Sequence, residues 1–282
     1  MQVGVGLPSC VPGCQPRLLT EWAISAEAAG FASVGVVDRL LYGNYDPLVA
    51  LSAAAAVTTR VRLVTSILIA PLREAASLAK QLATLDLISG GRLTTGIAIG
   101  ARRDDYEVSE FDYADRGARL DGLLHTLRTH WEEDRLGPQP QQPDGPPILM
   151  GGQSGPALVR MAAHADGYIH NGGPPRAFAR AAEQARAAWT DADRPGDPQL
   201  WGMAYYALGD DDTAEAGRAY LRDYYAFTGP FAQRIADGLL TEPLALREFL
   251  DGYADAGCDH LILFPTVADA AQLDRLAAAA LS

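Results

Sequence analysis

The sequence predicts an α/β protein, a (β/α)₈ barrel of the TIM type, on three observations. Short β-rich runs alternate with segments of helical spacing from one end to the other. The strand-like runs number eight, which invites closure of a parallel sheet with helical crossovers. The length of 282 residues suits one such barrel, which takes roughly 250.

The strand-like runs lie at 3–7, 33–37, 61–70, 93–99, 147–150, 167–170, 201–208 and 260–264. Helical spacing occupies 17–29, 47–59, 75–88, 116–131, 156–165, 175–189, 213–225, 245–256 and 268–281. A doubly wound open sheet is the alternative. It usually carries a glycine-rich turn after its first strand. Here that turn reads LPSCVPGCQP, whose prolines do not suit a dinucleotide fingerprint. The third run is long for a barrel strand, so a bulge is expected within it. Short insertions follow strand four (101–115, a charged loop) and strand seven (224–243, with Tyr224, Tyr225, Phe227, Pro230 and Phe231). The proline-rich stretch 136–147 reads as a connecting loop of tolerable length, so residues 1–282 are taken as one domain.

Composition narrows the function. Hydrophobic residues make up 48% and charged residues 21%, enough core and too little charge for a disordered chain. The net charge of −12 argues against DNA or an anionic membrane as the main partner. A phosphorylated cofactor is still compatible, because backbone amides bind phosphate locally. The N-terminus, MQVGVGLPSC, lacks a basic region followed by an apolar stretch, and no apolar run reaches the roughly 18 residues of a membrane span. Cys10, Cys14 and Cys258 are expected to be free thiols, and the protein cytoplasmic.

In a barrel, chemistry gathers where strands run into the following helices. After strand five come Gly151, Gly152, Gln153 and Ser154; after strand six come His170, Asn171, Gly172 and Gly173. Paired glycine turns that open helices can grip one phosphate from two sides. They also serve as plain tight turns, with Ser154 as an N-cap. Strand two ends in Asp38 and Arg39, either a proton-transfer and charge-stabilising pair or an ion pair. Strand four ends at Gly100, where a flat ring can approach the backbone. His170 is the one histidine at the C-terminal end of a strand, a candidate acid or base. His260 opens strand eight at the opposite rim and reads as structural, while His125, His130 and His164 lie on helices. No His-x-His occurs, so no metal is expected.

Several of these stretches together resemble the bacterial luciferase-like family. They include Pro71, Leu72 and Arg73; Leu78, Ala79, Lys80 and Gln81; Ala83, Thr84, Leu85 and Asp86; and Ser89, Gly90, Gly91, Arg92 and Leu93. Gly96 to Gly100 continues the likeness, with Asp105, Tyr106 and Glu107, then Arg116 to Asp121. Pro147 to Gly152 and Ala165, Asp166 and Gly167 complete it. The resemblance implies an oxidoreductase or monooxygenase that uses reduced FMN or coenzyme F420 on a small organic substrate. The choice between the two cofactors stays open. For an anionic cofactor tail, Arg39, Arg73, Arg102 and Arg103 are the candidate basic residues.

The same resemblance implies a phosphate at Gly151, Gly152, Gln153, Asn171, Gly172 and Gly173. It places the ring over strands three and four, supported by Thr65, Ser66, Ile67 and Gly100, with a non-proline cis peptide at Ser66–Ile67. Asp38, Arg39 and His170 become the catalytic candidates, and the span 224–231 either covers the substrate or packs as helix. Relatives often carry histidine where this chain has Arg39, and an aromatic where it has Ala101. Arginine stays protonated near neutral pH, so a general base cannot be transferred to that position. A flavin-binding protein without catalysis is the rival reading. A separate flavin or F420 reductase and a homodimer are the expected partners.

Overall fold

The computed structural model describes residues 1–133 and 137–281. Eight parallel strands close into a barrel in sequence order, with the first paired to the last. They are β1 (Gln2–Gly6), β2 (Ser33–Val36), β3 (Arg62–Ile69), β4 (Leu93–Ala98), β5 (Ile148–Gly151), β6 (Gly167–His170), β7 (Gln199–Tyr206) and β8 (His260–Pro265). Each falls on a predicted run. β2, β5, β6 and β8 are buried at every position, as strands covered on both faces must be.

The helices are α1 (Pro16–Ala29), α2 (Pro47–Val57), α3 (Ala75–Ser89), α4 (Arg103–Glu107), α5 (Arg116–Glu132) and α6 (Gly155–His164). They continue with α7 (Pro175–Asp191), α8 (Asp211–Tyr224), α9 (Phe231–Asp237), α10 (Pro243–Asp255) and α11 (Ala271–Ala280). In α1, Leu19, Trp22, Ala23 and Ala26 recur at helical spacing and are buried. Two helices were not anticipated. α4 interrupts the span 101–115 expected to be a loop, and its first turn carries Asp104 and Asp105, a favourable charge for a helix start. α9 lies within the insertion after β7. The connector expected at 136–147 begins outside the described residues. Its later part is fastened by Gln142, which donates from its backbone and side chain to Asp86.

Carboxylates staple the rim where the strands begin. Glu27 accepts the backbone N–H groups of Thr59, Arg60 and Val61. Asp166 accepts that of Ile148 at 2.7 Å, and Asp259 that of Leu200 at 2.7 Å. His260, at the same rim, stacks on Trp201 at 4.1 Å and bonds Ser33 Oγ at 2.7 Å, a structural role as expected. One packed cluster joins barrel-interior residues such as Val64, Ile169, Met203 and Phe264 to Tyr220, Leu221 and Leu239 of the segment after β7. That packing sets the insertion over the barrel. Among the described residues, no helix is long and apolar enough to cross a membrane.

Candidate functional site

A cavity of about 180 Å³ opens at the end of the barrel where the strands terminate. Its floor comes from β3. The pairing of β3 with β4 slips between Thr65 and Leu68, so the bulge expected from the strand's length is present. The Ser66–Ile67 peptide is cis, as the resemblance implied. Thr65 is fully buried beneath, where its hydroxyl donates to the Gly96 carbonyl at 2.8 Å. Gly96 has no room for a side chain: a Cβ there would lie 2.2 Å from the Thr65 carbonyl oxygen. Ser66, Ile67 and Gly100 line the cavity.

The two glycine turns lie at its edge. Gly152, Gly172 and Gly173 have φ of 118°, 98° and 117°, which side-chain-bearing residues rarely adopt. Gln153 joins the turns: its amide donates to Asn171 Oδ1 at 3.0 Å and meets His170 Nε2 at 3.2 Å. Asn171 lines the cavity, so the turns and the floor belong to one site. Gly151 sits inside β5, and a Cβ there would lie 2.3 Å from Ile67 Cδ1. Its smallness serves packing against the bulge. Ser154 caps α6 by accepting from the Ala157 N–H.

His170 is fully buried, and burial lowers its pKa to about 4, so it is neutral at pH 7. With Gln153 donating to Nε2, the ring proton sits on Nδ1, a buried atom without a partner among the described residues. Such an orphaned donor, beside glycines with open backbone, fits a phosphate-bearing ligand at these turns.

Asp38 lines the cavity but is already engaged. Its carboxylate accepts the Ile69 N–H at 2.9 Å and faces Arg73 Nη2 at 3.4 Å. Burial raises its pKa, against the pull of Arg73. Arg39 is placed differently from the expectation. Its Nε donates to Asp105 at 2.9 and 3.2 Å, and its Nη2 to Asp104 at 2.8 Å and the Leu41 carbonyl at 3.1 Å. The guanidinium therefore ties the turn after β2 to α4. No hydrogen bond joins Asp38, Arg39 and His170 to one another, so the three are not assembled as one reacting group.

The opposite wall holds residues that sequence reasoning missed. Met203 and Tyr205 project from β7 into the cavity, two positions apart, and the alternation of a barrel strand was the available signal. Tyr205 Oη lies 2.8 Å from Tyr225 Oη. Burial raises the pKa of both phenols, so both stay protonated at neutral pH. Tyr224, Tyr225 and Phe227 complete the wall, while Phe231 is 54% exposed and points elsewhere. Arg102 sits between rings, its guanidinium carbon 4.2 Å from the Tyr224 centroid and 4.3 Å from that of Phe227. Among the described residues, no group of three or more His, Cys, Asp or Glu could hold a metal ion.

Fold and site together define a (β/α)₈ barrel with a cavity at its C-terminal mouth. The chain belongs to the luciferase-like monooxygenase family, whose family model matches residues 1–257. It is similar to an uncharacterized protein of Mycobacterium tuberculosis (strain ATCC 25618 / H37Rv), with 33% identity over 54% of this chain and 65% of that protein. The match thus spans less than two thirds of that relative's length. It is also similar to the F420-dependent glucose-6-phosphate dehydrogenase of Amycolatopsis mediterranei (strain U-32), with 27% identity over 92% of this chain and 91% of that one. Among solved structures, an F420-dependent secondary alcohol dehydrogenase has a TM-score of 0.83 at 18% identity, covering 99% of this chain and 97% of that chain. The monooxygenase RslO1 of Streptomyces bottropensis has 0.79 at 22%, covering 100% and 99%. These two likenesses show the fold.

Proposed function

We propose that the protein is an oxidoreductase that uses reduced FMN or coenzyme F420 on a small organic substrate. The observation that carries this reading is the Gln153–Asn171 bond, which joins two glycine turns to a cavity floored by the β3 bulge. A flat ring with a phosphate tail needs such a combination. Gly152, Gln153, Asn171, Gly172 and Gly173 would hold the phosphate. Ser66, Ile67 and Gly100 would support the ring, with Thr65 bracing them from below. When bound, the cofactor supplies hydride transfer or oxygen activation. Asp38 holds the end of β3 in place through the Ile69 N–H. The Tyr205–Tyr225 hydroxyl pair keeps a proton at Oη facing the cavity, and the aromatic wall excludes water. The same proposal includes a cytoplasmic setting, reduced cofactor from a separate reductase, and a homodimer that gel filtration checks.

The test is a titration of the purified protein with FMN and with F420, each followed by its fluorescence. One of them is expected to saturate the protein with a dissociation constant near micromolar, about −8 kcal/mol. Anaerobic and aerobic oxidation of the reduced form that binds then separates hydride transfer from oxygenation. Failure of both cofactors to bind at about 1 mM, a binding energy near −4 kcal/mol, would falsify the proposal.

A further inference from the structure

The cavity contains a cation to which no carboxylate among the described residues is paired. Arg102 is 7% exposed and lines the cavity, yet it has no hydrogen bond or ion pair among the described residues. Its Nη1 is buried and unpartnered. The carboxylates of the adjoining turn are committed elsewhere, because Asp104 and Asp105 both hold Arg39. Asp38, which shares the cavity, is held by Arg73 and the Ile69 N–H. The rings of Tyr224 and Phe227 lie against the guanidinium, which lowers its hydration while leaving Nη1 without an acceptor among the described residues. A buried charged donor without an acceptor is unfavourable, and the expense is recovered only when an acceptor arrives.

We propose that Arg102 is the substrate-binding residue for a carboxylate, so the substrate class is small organic acids. Arginine presents two parallel N–H groups that match the two oxygens of a carboxylate. The body of the acid then rests against Tyr225, Tyr205 and Met203, an apolar surface with one hydroxyl pair. Arg102 comes from the turn before α4, whereas the glycine turns follow β5 and β6, so the phosphate and the carboxylate are assigned to different loops. This inference rests on the reading that the cavity is the reaction site of a cofactor-using enzyme.

The probes are benzoate, its neutral isostere benzamide, and inorganic phosphate, titrated by calorimetry into the cofactor-free protein and into Arg102→Met and Arg102→Lys. Wild type is expected to bind benzoate at least tenfold more tightly than benzamide or phosphate, which is the worth of a charge-assisted hydrogen bond. Arg102→Met should lose that preference, and Arg102→Lys should keep part of it as a single point charge. Circular dichroism and the thermal midpoint confirm that the variants are folded. If Arg102→Met does not fold, Arg102→Lys and the wild-type benzoate-to-benzamide ratio still decide. Equal binding of benzoate and benzamide overturns the proposal, as does no binding of either. Stronger binding of phosphate than benzoate overturns it too, by assigning Arg102 to a phosphate group. Cofactor binding, measured in parallel by fluorescence, separates the two readings. Bound cofactor without the benzoate preference sinks this inference alone, and the benzoate preference without cofactor binding sinks the proposed function.

Discussion

If Arg39 is a brace, its loss must appear first as lost stability. Its side chain is 5% exposed and that of Asp105 is fully buried. Asp105 also accepts the backbone N–H groups of Leu40 and Leu41 at 3.0 and 2.7 Å. Removing one partner of a buried ion pair costs about 3–5 kcal/mol. In Asp105→Ala, Arg39 keeps Asp104 at 2.8 Å and the Leu41 carbonyl at 3.1 Å, which places the loss near the lower bound, about 3 kcal/mol. At roughly 2 °C per kcal/mol for a domain of this size, the thermal midpoint falls by about 5 °C. Arg39→Met should fall comparably, because Asp105 then keeps only its two backbone donors. Arg39→Met combined with Asp105→Ala should lose less than the two single changes summed, by about 1–3 kcal/mol, since the two paired charges leave together. Thermal and urea denaturation by circular dichroism measure these losses, with turnover followed on the same samples. An Arg39→Met protein with wild-type stability and turnover reduced a hundredfold or more, about 2.7 kcal/mol in barrier, would refute the brace. It would put Arg39 at the reacting atoms instead.

Two further outcomes follow from the same geometry. Gly152→Ala puts a Cβ 2.9 Å from that of Ala157 at a φ of 118°, a strain of about 1–3 kcal/mol. It should weaken FMN or F420 binding about tenfold or more and leave the phosphate-free flavin or deazaflavin nearly unaffected; equal weakening of both would count against a phosphate at these turns. His170 has a pKa of about 4 in the folded protein against about 6.5 unfolded. Its contribution is complete above pH 6.5 and declines as pH falls from about 6.5 towards about 4, by up to roughly 3 kcal/mol. His170→Asn should therefore show a flatter fall in thermal midpoint across that window, and parallel curves would mean the ring is not buried neutral.

The barrel was legible because the two hydrophobic periods are both local signals. Even the β3 bulge announced itself, as a strand run too long for its place. The glycine turns were legible as residue types, but the Gln153 bridge between them was not, because it depends on how β5 and β6 sit side by side. Arg39 shows the limit most clearly. Its position next to Asp38 invited a role at the reacting face, whereas its ion-pair partners lie 65 and 66 residues further on. Neighbours in sequence are visible to a reader of one chain, and an ion pair across two loops is not. Arg102 was visible only as one of four arginines near the mouth. Its distinction is that Nη1 has no partner among the described residues, which emerges only once the neighbouring carboxylates Asp38, Asp104 and Asp105 have been placed.

The staples made by Glu27, Asp166 and Asp259 have a consequence for how this molecule tolerates change. Each grips backbone N–H groups, which every residue except proline offers, at the rim remote from the cavity. Side chains in the gripped segments can drift without loosening the hold. The mouth has the opposite character: Arg39, Gln153 and Tyr225 each depend on a particular side chain of another element. Substitutions there must arrive in compatible pairs. A change of substrate in this barrel therefore proceeds by exchanging matched residues at the mouth above a foundation that is indifferent to them.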